Sequence, residues 1–282
     1  MRLIARNVKV ADVARVAGFM KVARIARVAR IMSSARGRWT SRVRNAKIAR
    51  FSRVAVAAIC TLCVASLLMP PATAQAAKPY CERYKCIALT FDDGPWPYTP
   101  ELLDTLKKYQ AKATFFVLGR KVANRPEMMQ RMVKEGHEVG NHTWDHPSLT
   151  TLSDEEIVAE ITSTQEVIHE TIGLWPTMMR PPSGATNARV GARMAELGLP
   201  QIMWTGSTLD WQARNQKIIT ARTLKLAKRN GVILLHDIVP ETVKSMPAVL
   251  KTLKKRGYKF VTISTLLGNR KLAPGEVWPK KK

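Results

Sequence analysis

Beyond Cys86 the chain alternates between short continuous apolar runs and segments whose apolar residues recur every three or four positions. The first kind reads as buried strand and the second as amphipathic helix, so the pattern predicts repeated β-α units with a parallel sheet. Ile87 to Phe91 is the first expected strand. A helix follows from Pro100, with Thr99 as N-cap and Leu102, Leu103, Leu106 and Tyr109 on its buried side. Ala113 to Leu118 is the next strand; a helix from Pro126 to Glu135 stops at Gly136, and His137 to Gly140 leads into a third strand end at Asn141 and His142. Ser153 and Glu156 have capping-box spacing, opening a helix that turns Ile157, Ile161, Ile168 and Ile172 inward and stops at Gly173. Further strands are expected at Met178 to Arg180, Gln201 to Thr205, Val232 to Leu235 and Lys259 to Ile263. Helices are expected near Ala188 to Leu197, Gln216 to Arg229 and Pro247 to Arg256. About seven strands with their helices fit an α/β fold of the distorted (β/α) barrel type; an open doubly wound sheet is the other architecture with this pattern.

The residues ahead of Cys86 read differently. Of the net charge of +25, Met1 to Arg53 carries +14, from 15 basic residues against Asp12 alone, and the remainder carries +11. Triplets such as Val22-Ala23-Arg24 and Ile25-Ala26-Arg27 would smear their arginines around a helix rather than gather them on one face, because a three-residue period drifts about 60° per repeat. Met20 and Met32 are alternative starts. Val54 to Met69 is sixteen residues without a charge, followed by Pro70-Pro71 and Ala74-Gln75-Ala76. That order matches a secretory signal with cleavage after Ala76, and sixteen residues fall short of the about 20 that span a bilayer. The division is therefore 1–53 basic leader, 54–76 signal segment and cleavage site, and 77–282 folded domain, with a secreted or wall-associated product, or a membrane-anchored one if the signal is retained. Cys60 and Cys63 leave with the signal, so Cys81 and Cys86 remain as a pair suited to a disulfide.

The polar clusters Asp92-Asp93, His142, Arg180, Asp210 and His236-Asp237 all fall at or just after the carboxyl end of an expected strand, the edge where parallel α/β folds build sites. Two adjacent carboxylates need compensation. Asp93 with His142 and His146 is a set of one carboxylate and two imidazoles that suits a divalent ion with open positions. Asp92 is then free as a general base, with Arg180 as its partner before the stiff Pro181-Pro182 turn. His236 is a candidate general acid and Asp210 the group that orients it and raises its pKa. A metal-activated water, a carboxylate base and a histidine acid suit hydrolysis of an amide or an ester.

Taken together the motifs resemble those of the polysaccharide deacetylases of carbohydrate esterase family four, which carry a NodB homology domain. Thr90-Phe91-Asp92-Asp93-Gly94-Pro95 is similar to the family's first motif and His142 with His146 to its second. Arg180 to Gly184 resembles the third, Asp210-Trp211 the end of the fourth, and Leu234-Leu235-His236-Asp237 the fifth. The resemblance implies a distorted barrel that removes acetyl groups from N-acetylglucosamine polymers such as peptidoglycan or chitin, or from acetylated xylan, or a wall-glycan-binding protein that keeps the groove without turnover. It also implies zinc, or else cobalt, manganese or nickel, on Asp93, His142 and His146. Trp211 and Leu234 would line an acetate pocket, and the Ser183 backbone N–H would help hold the oxyanion. Ser183 stands where the family usually has Tyr, and Ser207 where it usually has Asp. The expected partners are the acetylated polysaccharide and anionic cell-wall polymers, with no nucleic acid, no membrane contact beyond the signal segment, and a monomeric state.

Overall fold

The computed structural model describes residues 79–280; the leader, the signal segment and the cleavage site lie outside the described residues. In chain order the elements are α1 (Tyr80–Arg83), β1 (Lys85–Asp92), α2 (Thr99–Lys108), β2 (Thr114–Val117), α3 (Gly119–Asn124), α4 (Pro126–Lys134), β3 (Glu138–Asn141), α5 (Asp154–Ile172), α6 (Ala188–Glu196), β4 (Gln201–Ile202), β5 (Gly206–Ser207), α7 (Asp210–Ala213), α8 (Gln216–Leu226), β6 (Gly231–His236), α9 (Pro240–Lys255), β7 (Tyr258–Phe260), α10 (Ile263–Leu267) and β8 (Val277–Trp278).

Strand β1 is the axis of the sheet. Every residue from Cys86 to Asp92 is buried, which explains a continuous apolar run where a half-exposed strand would alternate. Its odd positions Ile87, Leu89 and Phe91 join the larger core with Phe115, Val117, Ile233, Leu235 and apolar residues of α2 and α9. Cys86 and Ala88 join a second, inner cluster with Phe116, Val232, Met178 and Val261. By the two-residue period of a strand, Thr90 and Asp92 continue that inner face.

The sheet order is β3-β2-β1-β6-β5, all pairs parallel. One edge of β1 is taken by β6 from Ile87 to Asp92; the other is shared by β7 at Lys85–Ile87 and β2 at Thr90–Asp92. Met179 bridges Asn141 on one side and Gln201 on the other, and β4 pairs with β8. The segment 201–207 thus meets both margins of the sheet, at Met179 and at β6, but the ladder is interrupted between β4 and β5 and the barrel is not closed.

The outer helices follow their sequence signals closely. In α5 the Ser153 hydroxyl accepts from the Glu156 N–H at 3.2 Å while the Glu156 carboxylate accepts from the Ser153 N–H at 2.7 Å, and Gly173 closes the helix at φ 70°. Such a cap contributes about 1 kcal/mol. Cys81 and Cys86 are disulfide-bonded.

Several elements depart from expectation. Met178 to Arg180 contributes only the Met179 bridges, because Pro181 and Pro182 have no N–H to extend a ladder. Gln201 to Thr205 is not one strand, because the chain changes partner within it: Gln201 and Met203 donate to the Glu276 and Trp278 carbonyls beside β8, whereas Thr205 donates to the Val232 carbonyl of β6. The last long strand ends at Phe260, since Thr262 N-caps α10 by accepting from the Thr265 N–H. Helix α9 begins at Pro240, so Pro247 lies inside it rather than at its start. Helix α2 has Tyr98 at its N-cap, and the hydroxyl of Thr99 is engaged elsewhere.

Candidate active site

The inner-face parity of β1 and β6 decides what meets at the carboxyl edge. Asp92 is the last inward position of β1, His236 is the last of β6, and the two are register partners. Strand β3 delivers His142 immediately after Asn141, and the chain leaving Met179 delivers Arg180. All the acids, histidines and the arginine singled out in the sequence therefore gather at one edge.

Arg180 is completely buried. Its guanidinium donates to Asp92 Oδ1 at 2.7 Å, to Thr90 Oγ1 at 2.7 Å, and to the Ile202 and Met203 carbonyls at 2.9 and 3.1 Å. It also stacks over Phe116, with Cζ 4.2 Å from the ring centre. Burial works against its charge and Asp92 works for it. With Oδ1 of Asp92 occupied, Oδ2 is the oxygen nearer His142, 3.8 Å from Nε2.

Asp93 begins a separate cluster. Its φ of 70° turns the chain sharply after β1, so consecutive carboxylates part company: Asp92 pairs with the arginine and Asp93 with two imidazoles. Asp93 Oδ1 lies 3.4 Å from Nε2 of both His142 and His146. The two rings meet edge to face, 5.1 Å apart. They share this spacing through a loop with positive φ at Thr143 and His146, and not through a helical turn. His142 Nδ1 is 2.7 Å from the Arg180 carbonyl, which leaves Nε2 as a free lone pair when that carbonyl accepts the Nδ1 proton. Asp93 Oδ1 is buried and makes no hydrogen bond. An orphaned carboxylate oxygen facing two imidazole nitrogens, all within 4.8 Å, fits a divalent cation in chemistry and spacing. Burial opposes ionisation of Asp93, but His142, His236 and His146 outweigh it and hold the carboxyl well below its usual range. Burial, reinforced by His142, lowers the pKa of His146.

His236 is fixed at two points by one carboxylate: Asp210 Oδ1 lies 2.8 Å from Nδ1, and Asp210 Oδ2 accepts the His236 backbone N–H at 2.8 Å. Thr242 on α9 donates a third bond to Asp210 at 2.7 Å. Burial disfavours the imidazolium, yet Asp210, with help from Asp92 and Asp93, raises the His236 pKa to about 9.

Ser183, Trp211 and Leu234 line the same cavity of about 590 Å³ as Asp92, Asp93, His142, His146 and His236. Ser183 has φ 55°, and Trp211 is half exposed at the rim. Ser207 lines the cavity too. Sequence reasoning gave no role to Trp204 and Leu209, which complete the wall, or to Thr90 and Thr242, which tie Arg180 and Asp210 in place. The Thr90 signal was present, since a hydroxyl on the inner face of a buried strand needs a partner. Asp237 directly follows His236 at the end of β6. It is fully buried, accepts from the Thr99 hydroxyl at 2.5 Å and leaves Oδ1 unpartnered; burial raises its pKa to about 7.

The polysaccharide deacetylase family model matches residues 80–202. The peptidoglycan N-acetylglucosamine deacetylase PgdA of Listeria monocytogenes is 46% identical over 193 residues, 68% of this chain and 41% of that protein. A peptidoglycan N-acetylglucosamine deacetylase of Bacillus cereus is 39% identical over 189 residues, 65% of this chain and 88% of its own length. A deacetylase solved with substrate superposes with a TM-score of 0.68 at 39% identity, covering 70% of this chain and 98% of that one. The chain spans about two fifths of the length of the Listeria relative.

Proposed function

This chain belongs to the polysaccharide deacetylase family, and from that premise we propose that it is a metal-dependent de-N-acetylase of N-acetylglucosamine-containing wall glycan, exported through the Val54–Ala76 segment. The observation that carries the reading is the convergence of three units on one cavity: the Asp93–His142–His146 cluster, the Asp92–Arg180 pair and the His236–Asp210 pair. Asp93, His142 and His146 would hold a divalent ion, zinc in this reading, which would supply Lewis acidity toward water and the acetamide carbonyl.

The side chains divide the proton work. Asp92 takes a proton from the attacking water on Oδ2, because Oδ1 is committed to Arg180. His236, whose imidazolium Asp210 favours, delivers its proton from Nε2 to the leaving amine, because Nδ1 is committed to Asp210. Leu234 and Trp211 offer apolar surface for the acetyl methyl, and the backbone N–H of Ser183, which lines the same cavity, is the donor assigned to the developing oxyanion.

The experiment is acetate release from N-acetylglucosamine oligomers, peptidoglycan and acetylated xylan, with and without chelator. Chelator-sensitive release from the first two supports the reading. Release from xylan alone would make the chain an O-acetyl esterase, and no release with any divalent metal would make it a wall-glycan binder.

A further inference from the structure

The loop after β1 and the first turn of α3 carry a cation that the reaction described above does not use. Lys121 Nζ lies 4.4 Å from the centre of the Trp96 indole. Among the described residues no carboxylate comes within ion-pair distance of it. The side chain is half-buried, and burial lowers its pKa while the charges of Asp93 and Asp237 act to raise it. Those two carboxylates act from beyond ion-pair distance, so the partly desolvated ammonium has no directly bonded counter-ion, an arrangement that a bound anion would stabilise.

The platform is held firmly. Leu118, next to α3, donates to the Gly94 carbonyl at 3.1 Å, and Gly119 donates to the Thr143 carbonyl at 3.0 Å. The turn bearing Lys121 is therefore tied to the loop of Asp93 and to the loop of His142 and His146. Gly119 packs so closely on Trp144 that a Cβ there would lie 2.3 Å from the ring. The backbone N–H of Trp96 donates to Thr99 Oγ1 at 2.8 Å, which fixes the turn that carries the exposed indole. The cation–π contact biases the ammonium toward this position before any ligand arrives, which removes part of the rotamer entropy that a free lysine loses on binding.

We propose that Trp96 and Lys121 form an anion-reading subsite beside the metal end of the cavity, where the lysine binds a carboxylate on the glycan segment next to the acetylated sugar. This deepens the proposed function and rests on it for the identity of the sugar. It makes acid-bearing glycan, such as a chain with lactyl or stem-peptide carboxylates, the favoured substrate class over neutral chitin. The basic surplus of +11 beyond Arg53 favours the same class at longer range.

The test is a binding measurement on the full chain loaded with a divalent ion. Calorimetry compares a carboxylate-bearing N-acetylglucosamine–N-acetylmuramic acid tetramer with the same tetramer amidated at those carboxylates. The acidic form should bind about tenfold more tightly. Lys121→Met, which keeps the stem over Trp96, should abolish that ratio; Lys121→Arg should keep it, and Trp96→Leu should reduce it. A ratio unchanged in Lys121→Met, or no preference in the unmutated protein, overturns the proposal. Binding needs no turnover, so an acid preference that depends on Lys121 without acetate release would sink the enzymatic reading and leave this subsite standing.

Discussion

Asp92 and His236 stand opposite each other as the last register pair of the parallel strands β1 and β6. Strand pairing, and not a loop, sets the spacing between the proposed base and the proposed acid. The supports of each then come from different directions: Arg180 reaches Asp92 from the chain after Met179, and Asp210 reaches His236 from the start of α7. Each supporting side chain is itself fully buried, so the two proton-transfer groups have little room to drift.

Splitting the adjacent carboxylates between two partners gives the first prediction. Asp92→Asn should lower kcat on the order of 10³-fold while leaving divalent metal affinity close to that of the unmutated chain. His142→Ala should lose metal. Metal content by elemental analysis, read beside acetate release, checks both, and equal metal loss in the two variants would show that the carboxylate roles are divided wrongly.

The buried ion pair gives the second. Arg180→Met leaves Asp92 2% exposed and without its counter-charge, which should cost about 3–5 kcal/mol of stability. Urea denaturation measures it. Pairing the change with Asp92→Asn should recover part of the loss, because the second substitution removes the stranded charge; the Ile202 and Met203 carbonyls stay unpaired, so recovery stops short of complete.

The third concerns pH. The His236 pKa is raised from 6.5 to about 9, so its stabilising contribution is fully present below 6.5 and is lost as pH climbs through 9. In the metal-free protein an NMR titration of the His236 ring should therefore run near 9. Metal loading offsets the negative charge of Asp93 and should move it down. Asp210→Asn should bring it down further, toward 6.5, with the alkaline limb of kcat/KM moving the same way. A limb that does not shift in Asp210→Asn rules out His236 as the acid.

Much of the site was legible because its residues sit where periodicity already pointed. The buried run ending at Asp92 and the run ending at His236 each mark a strand end by themselves, and the clusters between them fall at similar places. What the sequence could not show is contact between distant segments. Thr242 bonding Asp210, Thr99 bonding Asp237 and Lys121 lying over Trp96 join residues with no shared pattern, since each belongs to a helix or turn whose own signal concerns packing. The misread elements have the same origin. Pro247 looks like a helix start, but Pro240 already occupies that position, and Thr262 looks like a strand residue until its hydroxyl caps α10.

Gly94 gives the last prediction. Its neighbour Asp93 is one of the three proposed metal ligands, and a Cβ at 94 would stand 2.3 Å from Asp237 Oδ2 and 2.5 Å from Oδ1. The obstacle cannot simply swing aside. Asp237 is fully buried and bonded to Thr99 at the first turn of α2, and its side chain is short. Gly94→Ala must therefore move either the carboxylate or the turn that carries Asp93. Overpacking of this kind costs about 1–3 kcal/mol, which should lower Tm by roughly 2–4 °C per kcal/mol in a domain of this size. Displacing the turn should also weaken divalent metal binding, by about tenfold for each 1.4 kcal/mol of strain that metal binding must reverse. Calorimetric Tm and metal titration read the two effects separately. Adding Asp237→Ala to Gly94→Ala opens the space the new methyl needs and should restore metal affinity even though the Thr99 hydrogen bond is gone. If metal affinity stays low in the double variant, steric pressure from Asp237 is not what positions Asp93.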